Sequence, residues 1–480
     1  MRLAQQYQRL NPLYKYLKKS KMGINKLFGT DGIRGQANVW PMTPEVISKV
    51  AKAAASSFMA KAPANLIHGD HRYTVVIGKD TRLSGYMVES SLMAGFVAMG
   101  LDVILLGPLP TPAVAMLTRS LRANLGVMIS ASHNHYLDNG IKFFGPDGSK
   151  LSDIDESEIE ELCASENFSL APAAFIGKAK RLDDAAGRYI EFAKATFPRG
   201  LRLDGLKIVV DCAHGAAYKV APKILWELGA DVIAIGANPD GSNINENCGA
   251  TSPKSLQESV ISHQADLGIA LDGDADRLIM VDEAGALLDG DQLMATIATL
   301  WRESNLLRGQ GIVATHMSNL GLERYLETKN LQLFRAAVGD RYVIEEMRKN
   351  GCNIGGEQSG HIILSEYCTT GDGLIAALQI LSILVQSNKR MSDIGHTFEA
   401  VPQILQSIST KNFIDLDQDR IQKVIQDASE KLESNGRLLI RKSGTEPVIR
   451  IMAQGDDQAL LKSIVQDIVE TIQMVDSKAA

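Results

Sequence analysis

The stretch ISASHNHYLDNGIKFF, from Ile129 to Phe144, holds two serines, two histidines, two asparagines and an aspartate between apolar runs. Ser132 beside His133 suggests a hydrolase nucleophile, yet no G-x-S-x-G elbow or comparable frame surrounds it. A second loop, DGDADR (272–277), sets Asp272, Asp274 and Asp276 at alternate positions. In an extended segment these side chains share one face, and three like charges so close need a cation among them. Oxygen-only ligands suit Mg²⁺ rather than zinc. The apolar flanks LGIAL and LIMV argue against a merely solvated acidic turn, because buried carboxylates need a partner. A serine hydroxyl near a divalent cation is well placed to carry a phosphoryl group, and Lys142 can neutralise the charge that develops. Ser130 shares the alternate-position face of Ser132 but lies closer to the strand, which suits a structural hydroxyl.

Two further loops carry polar groups suited to a phosphorylated sugar. RKSGTEP (441–447), followed by Arg450, reads as a hairpin tip with Ser443, Gly444 and Thr445 between Arg441 and Arg450. Backbone amides and hydroxyls in such a turn make an anion nest, and arginine adds bidentate phosphate contacts. GGEQSGH (355–361) places Glu357, Ser359 and His361 at alternate positions among three glycines. That pattern suits sugar hydroxyls, with glycine allowing close approach; a Gly-rich turn with a core histidine is the plain alternative. An EF-hand reading of Asp272, Asp274, Asp276 and Glu283 fails because the sixth position is Arg277 rather than Gly.

The elements that must position these loops alternate. Strand-like runs at 73–78, 102–107, 125–130, 207–211, 231–236 and 311–316 are separated by helical patterns at 85–100, 113–121 and 216–230. This rhythm indicates mixed α/β layers. Three strands share a pattern: NLGVMISASH from Asn124, DLGIALDGDAD from Asp266 and NIGGEQSGH from Asn353. Each runs into a polar loop within six residues of its Gly, which suggests three related domains, each delivering one loop to a common cleft. Beyond about residue 405, a strand, a helix (417–432), a hairpin and a last helix (457–474) read as a smaller α+β domain.

The bulk numbers agree with a soluble multi-domain chain. It has 480 residues, 45% of them hydrophobic, and a net charge of −6, which counts against a nucleic-acid partner. Five scattered cysteines without a CxxC pair fit a reduced, cytoplasmic protein. The run GLIAALQILSILV from Gly373 is too short to span a bilayer and reads as a buried helix, so no membrane association is expected. Residues 1–21 hold six basic residues and no acidic one, without an apolar core, and read as a solvated tail.

Taken in order, GTDGIRG (29–35), SASHN with DNGIKFF, DGDADR, GEQSGH and RKSGTEPVIR resemble the α-D-phosphohexomutase superfamily from about Lys26 to the end, and its bacterial amino-sugar branch most closely. Any one motif is weak; five in order are specific. The resemblance implies an N-terminal extension (1–25), three related mixed α/β domains (26–185, 186–287 and 288–403) and a smaller C-terminal α+β domain (404–480) around a central cleft. It implies interconversion of glucosamine 6-phosphate and glucosamine 1-phosphate through a phosphoserine and glucosamine 1,6-bisphosphate, feeding UDP-N-acetylglucosamine. By motif, Ser132 is the phosphoserine and, with Asp272, Asp274 and Asp276, holds one Mg²⁺. Glu357 and Ser359 contact sugar hydroxyls. Arg441, Ser443, Gly444, Thr445 and Arg450 hold the phosphate that is not reacting. Arg34, His133, Lys142 and Arg277 line the reacting end, and His361 is the proton-transfer candidate. A homodimer is expected by family analogy. The rival readings are a mutase of mannose and glucose phosphates in the same superfamily, a catalytically silent sugar-phosphate-binding protein, and a serine hydrolase. One departure stands out: His135 replaces the Pro usual after SASHN, which puts loop rigidity in doubt.

Overall fold

Runs rich in Val, Ile and Leu form the strands that the pattern predicts, and the computed structural model describes them within residues 26–29, 31–61, 72–410, 414–433, 435–442 and 448–478. The first sheet contains β1 (Phe28–Gly29), β2 (Gly32–Gln36), β3 (Thr74–Lys79), β4 (Asp102–Pro108), β5 (Leu125–Ile129), β6 (Asp138–Phe144) and β7 (Ala179–Arg181), in the order β1-β2-β6-β5-β3-β4-β7. The second holds β8 (Lys207–Asp211), β9 (Asp231–Ile235), β10 (Leu267–Leu271), β11 (Leu278–Asp282) and β12 (Leu287–Leu288), in the order β12-β11-β10-β8-β9. The third holds β13 (Gly311–Thr315), β14 (Gln332–Ala336), β15 (Ile354–Gly356) and β16 (Ile362–Leu364), in the order β14-β13-β15-β16.

One topology recurs in all three. The first strand of each set (β3, β8, β13) lies between the second (β4, β9, β14) and the third (β5, β10, β15), all parallel. The fourth (β6, β11, β16) returns antiparallel to the third. Each third strand is one of the three that share the Leu/Ile-Gly pattern, and each polar loop is the link to the fourth strand. The repeat read from the sequence is therefore a structural repeat, and the loops stand at the carboxyl ends of parallel strands.

Packing follows the apolar positions. Val75, Ile77, Leu125, Val127 and Ile129 are buried with Ile47, Val50, Leu92 and Phe96 from the flanking helices. Burying each such side chain contributes roughly 1.5–3 kcal/mol. The helix Gly373–Ser387 is buried along almost its whole length, as expected, and no helix among the described residues is long and apolar enough to cross a membrane. The fourth sheet, β17 (Gln403–Ser409), β18 (Gly436–Lys442) and β19 (Val448–Gly455), has the order β17-β19-β18. Ile408, Ile421, Ile451, Ile464 and Ile468 join it to the helices Asp419–Leu432 and Gln458–Lys478.

One helix is shorter than expected: 216–230 contracts to Val220–Glu227. Ala213 and His214 take left-handed conformations (φ 53° and 49°), so the chain turns before it can coil. Pro222 has no amide to donate and is tolerated only in a first turn, which sets the start.

Two compact units emerge. One comprises the described residues up to Ile190 with the segments Ala213–Val220 and Gly236–Glu246; the other comprises the rest. All five cysteines are buried and none is in a disulfide, and burial pushes the Cys163 thiol up to about 12, away from an activated nucleophile. The basic segment 1–21 lies outside the described residues.

Candidate active site

In the first unit, β5 delivers the chain to a tight turn. Ser132 is 1% exposed and takes a left-handed conformation at φ 53°. The amide of Asn134 closes the turn on the Ala131 carbonyl at 3.1 Å. A non-glycine residue here is uncommon and must be held by its surroundings. Ser130 supplies part of the hold: its Oγ donates to Asp80 Oδ2 at 2.7 Å and accepts from the Ser132 amide at 2.9 Å. This is the structural role expected of it.

The larger clamp is Arg82, which the sequence reading did not single out. Its buried guanidinium donates to the carbonyls of Ser132 and Asn134 (2.9 Å each), His135 (2.5 Å) and Asp138 (3.0 Å), and Nε meets Asp80 Oδ2 at 2.8 Å. Burial raises the Asp80 carboxyl above its ordinary pKa, against the pull of Arg82. Asn245 adds Nδ2 contacts to the carbonyls of Ser132 (2.9 Å) and Asn134 (3.2 Å). Where the usual proline is replaced by His135, Arg82 and Asn245 hold the loop's carbonyls by hydrogen bonds. An Asp-x-Arg triplet directly after a strand, in KDTR, was the available signal.

His133 is the next residue in this turn, and Ser132 Oγ lies 3.4 Å from His133 Nδ1. That separation is long for a hydrogen bond, though it makes the two groups neighbours.

Arg34 on β2 and Lys142 on β6 face the same region, since these strands pair antiparallel with Arg34 opposite Gly140. Both converge on Asp31, a residue of GTDGIRG that received no role from the sequence. Lys142 Nζ, nearly fully buried, lies 3.2 Å from Asp31 Oδ2, which also pairs with Arg34, while Oδ1 pairs with Lys150. Burial alone would raise the Asp31 carboxyl, but Lys142, Lys150 and Arg34 together hold it well below the usual range. Arg34 also reaches the Ala131 carbonyl, at 3.4 Å.

The second unit brings the aspartate loop and the GEQSGH loop together. Asp272, Asp274 and Asp276 are buried, and each offers an oxygen within 4.8 Å of the others. They meet by a different route from the one predicted. The loop is not extended: Ala275 is left-handed (φ 58°), and its amide bonds the Asp272 carbonyl at 3.0 Å. The resulting set of hard oxygen donors, with no nitrogen or sulfur, fits a divalent cation of the Mg²⁺ or Ca²⁺ kind. Burial works against the charge of Arg277, but Asp272, Asp276, Glu357 and Asp274 raise its pKa and keep it cationic.

The Leu278 amide donates to the Gly360 carbonyl at 3.0 Å, tying the two loops. Gly360 is required here: its φ is +91°, and a Cβ would lie 2.0 Å from the Leu278 carbonyl. Beyond this turn the expected shared face breaks up. Glu357 and Ser359 stay together, Ser359 Oγ donating to Glu357 Oε2 at 3.0 Å, and Ser359 is exposed. His361 instead turns inward, 3.7 Å from Asp276 Oδ1 and 3.6 Å from Asp340 Oδ2. Gln358 Nε2 is bound to Asp289 Oδ2 at 3.0 Å.

On the fourth sheet, Arg441 and Arg450 are direct cross-strand partners. Burial and then the neighbouring Arg450 lower the Arg441 pKa, against the pull of Glu357. Two opposed cations are unfavourable in a sheet unless an anion joins them. Ser443, Gly444 and Thr445 lie outside the described residues.

Comparison with known proteins fits this arrangement. The phosphoglucomutase/phosphomannomutase alpha/beta/alpha domains I, II and III match residues 25–170, 187–285 and 289–400, and the C-terminal domain of that family matches 407–471. A curated phosphoglucosamine mutase of Paramagnetospirillum magneticum is 60% identical over 452 residues, covering 93% of this chain and 98% of the relative. One of Rhizobium johnstonii is 59% identical over 455 residues, covering 95% and 99%. The chain belongs to the phosphoglucosamine mutase family. It is therefore a mutase, an isomerase-class enzyme. The fold extends to more distant relatives. A Burkholderia thailandensis phosphoglucomutase/phosphomannomutase family protein superposes with a TM-score of 0.77 at 23% identity, over 94% of this chain and 98% of that one. The Aspergillus fumigatus N-acetylphosphoglucosamine mutase, solved in complex with GlcNAc-6P and magnesium, gives 0.64 at 16% identity, over 97% and 99%.

Proposed function

We propose that this enzyme interconverts glucosamine 6-phosphate and glucosamine 1-phosphate. A phosphoryl group on Ser132 passes to the free hydroxyl of the sugar monophosphate, giving glucosamine 1,6-bisphosphate. The Ser132 Oγ–P bond breaks as the new O–P bond forms, and the sugar hydroxyl gives up its proton. The bisphosphate then turns end over end, and the other phosphate returns to Ser132. We assign the proton transfer to His361, beside Asp276 and Asp340. Arg34, Lys142 and Arg277 offset phosphoryl charge, with His133 beside the serine. Glu357 and Ser359 bind sugar hydroxyls. The loop with Arg441, Ser443, Gly444, Thr445 and Arg450 holds the idle phosphate in either orientation. Asp272, Asp274 and Asp276, with the Ser132 phosphate, would hold Mg²⁺, which when bound supplies charge stabilisation to the transferring group.

The observation that carries this reading is the buried, all-oxygen aspartate trio in a chain about 60% identical to proteins named for this reaction. Neither Ser132 nor any of the three aspartates is lost, as a silent binding protein would allow. Rates on glucosamine, mannose and glucose 6-phosphates test the reading. Glucosamine phosphate should give the highest kcat/KM; a preference for mannose or glucose phosphate would move the enzyme to the other branch of the superfamily.

A further inference from the structure

We propose that Asp289 is a positioning residue for sugar binding: through Gln358 it straps the loop between β15 and β16 to the helix Gly290–Glu303, and so fixes where Glu357 and Ser359 meet the sugar. The role of those two groups rests on the proposed function above; the strap itself does not.

Gln358 stands between the two residues assigned to the sugar, which makes it a candidate ligand in its own right. Its amide is engaged elsewhere. Gln358 Nε2 donates to Asp289 Oδ2 at 3.0 Å, and an ionised carboxylate only accepts, which sets the orientation of the amide. The main chain follows the same course, the Gly290 amide donating to the Gln358 carbonyl at 3.0 Å. Gly290 lets the two segments touch: a Cβ there would lie 2.2 Å from the Glu357 carbonyl oxygen and 2.8 Å from the Gly360 nitrogen.

Asp289 is itself held. Its Oδ1 accepts from the Gln292 amide at 3.1 Å and caps the helix, so Oδ2 reaches the loop from a fixed point. Asp291, buried, takes the Asn319 amide on Oδ2 at 2.7 Å, and Gln292 Oε1 takes the Thr397 amide at 2.9 Å, so the helix start is anchored from other sides. Within the loop, Glu357 Oε1 accepts from the Gly339 amide at 3.1 Å, and the Gly360 amide closes on the Glu357 carbonyl at 3.0 Å. Without the bond to Asp289, the turn that carries Glu357 and Ser359 loses its side-chain tie to the helix.

The test reverses the pair in the full-length enzyme. Gln358→Glu sets two carboxylates face to face, which repel. Adding Asp289→Asn restores a carboxylate–amide pair of opposite polarity, and asparagine still caps the helix. At pH 8, Gln358→Glu should raise KM for glucosamine 6-phosphate about tenfold, with a smaller change in kcat. The double variant should return KM to within about threefold of the parent. A smaller folded fraction lowers kcat and leaves KM alone, so it cannot imitate this. A raised KM that the double variant does not relieve overturns the strap. So does a Gln358→Glu chain that fails to fold and that Asp289→Asn does not recover. KM for glucose 6-phosphate should rise by the same factor; a loss confined to glucosamine phosphate makes Gln358 a sugar ligand and overturns the proposal. Hydrogen exchange without sugar separates strap from role. The Gly290 and Gly360 amides should exchange faster in Gln358→Glu and recover in the double variant. Unchanged exchange overturns the strap. Faster exchange with an unmoved KM overturns its role in sugar binding, and with it the assignment of Glu357 and Ser359.

Discussion

Arg82 is the strongest test of how the reactive loop is held. It is 1% exposed, neutralises the buried Asp80, and donates to four carbonyls between Ser132 and Asp138. Arg82→Met strips the partner from a buried carboxylate, a change that costs about 3–5 kcal/mol. Asp80 can escape part of this by taking up a proton, because burial already favours its neutral form. The sign follows. With Arg82 gone, the folded-state pKa of Asp80 rises further above the unfolded value. The penalty is then small where both states are protonated and grows as pH rises toward the new folded pKa. Thermal melts should show a larger loss at pH 8 than at pH 5, and Asp80→Asn in the same chain should recover part of it. Arg82→Lys keeps the charge but not the five-donor fork. It should leave the fold intact and reduce kcat by about a hundredfold, the effect of a roughly 1 Å misplacement. A near-normal kcat for Arg82→Lys, or a stability loss that ignores both pH and Asp80→Asn, would refute the clamp.

Three further outcomes follow from the same contacts. Asp274→Asn removes one of three buried oxygen ligands; Mg²⁺ binding by calorimetry should weaken by more than the roughly 10–100-fold typical of losing an outer-shell partner, with the melting temperature retained. Arg450→Ala removes one of the paired arginines that hold the idle phosphate, so it should lower kcat/KM in both reaction directions by about ten- to a hundredfold, from a lost charged contact of about 1.5–3 kcal/mol; an effect on one direction only would contradict the end-over-end model. Glu156→Gln imitates the protonated acid that burial favours, whose folded pKa is about 8. The unfolded chain ionises this group at a lower pH, so the native protein loses stability as pH rises toward 8, and the Gln variant should gain in melting temperature at pH 8.5 relative to pH 5.

The sequence was most legible where period and type agree. The three Leu/Ile-Gly strands foretold three sheets of one strand order, and LGIAL-DGDADR-LIMV foretold a buried carboxylate cluster between two strands. Spacing failed where backbone turns set direction. Ser132, Ala275 and Gly360 adopt positive φ, so side chains at alternate positions do not simply share a face. For the aspartates the turn still gathered them; for His361 it reversed the expectation and sent the ring inward. The groups missed altogether, Asp31, Arg82 and Asn245, act on residues far along the chain. Arg82 grips carbonyls 50 or more positions away, and a carbonyl has no signature in sequence. Their visible trace was limited to charged pairs beside strand ends, as in KDTR and GTDGIR.

The most direct measurement follows one phosphorus atom. Enzyme carrying labelled phosphate should be incubated with unlabelled glucosamine 6-phosphate, with peptide mapping before and after. The label should begin on Ser132 alone and pass into glucosamine 1,6-bisphosphate and then the monophosphates. Ser132→Ala should lose nearly all mutase activity yet still bind the sugar phosphate, because Arg441 and Arg450 are untouched. Label released as inorganic phosphate at the rate of turnover would make the protein a phosphatase and contradict the account.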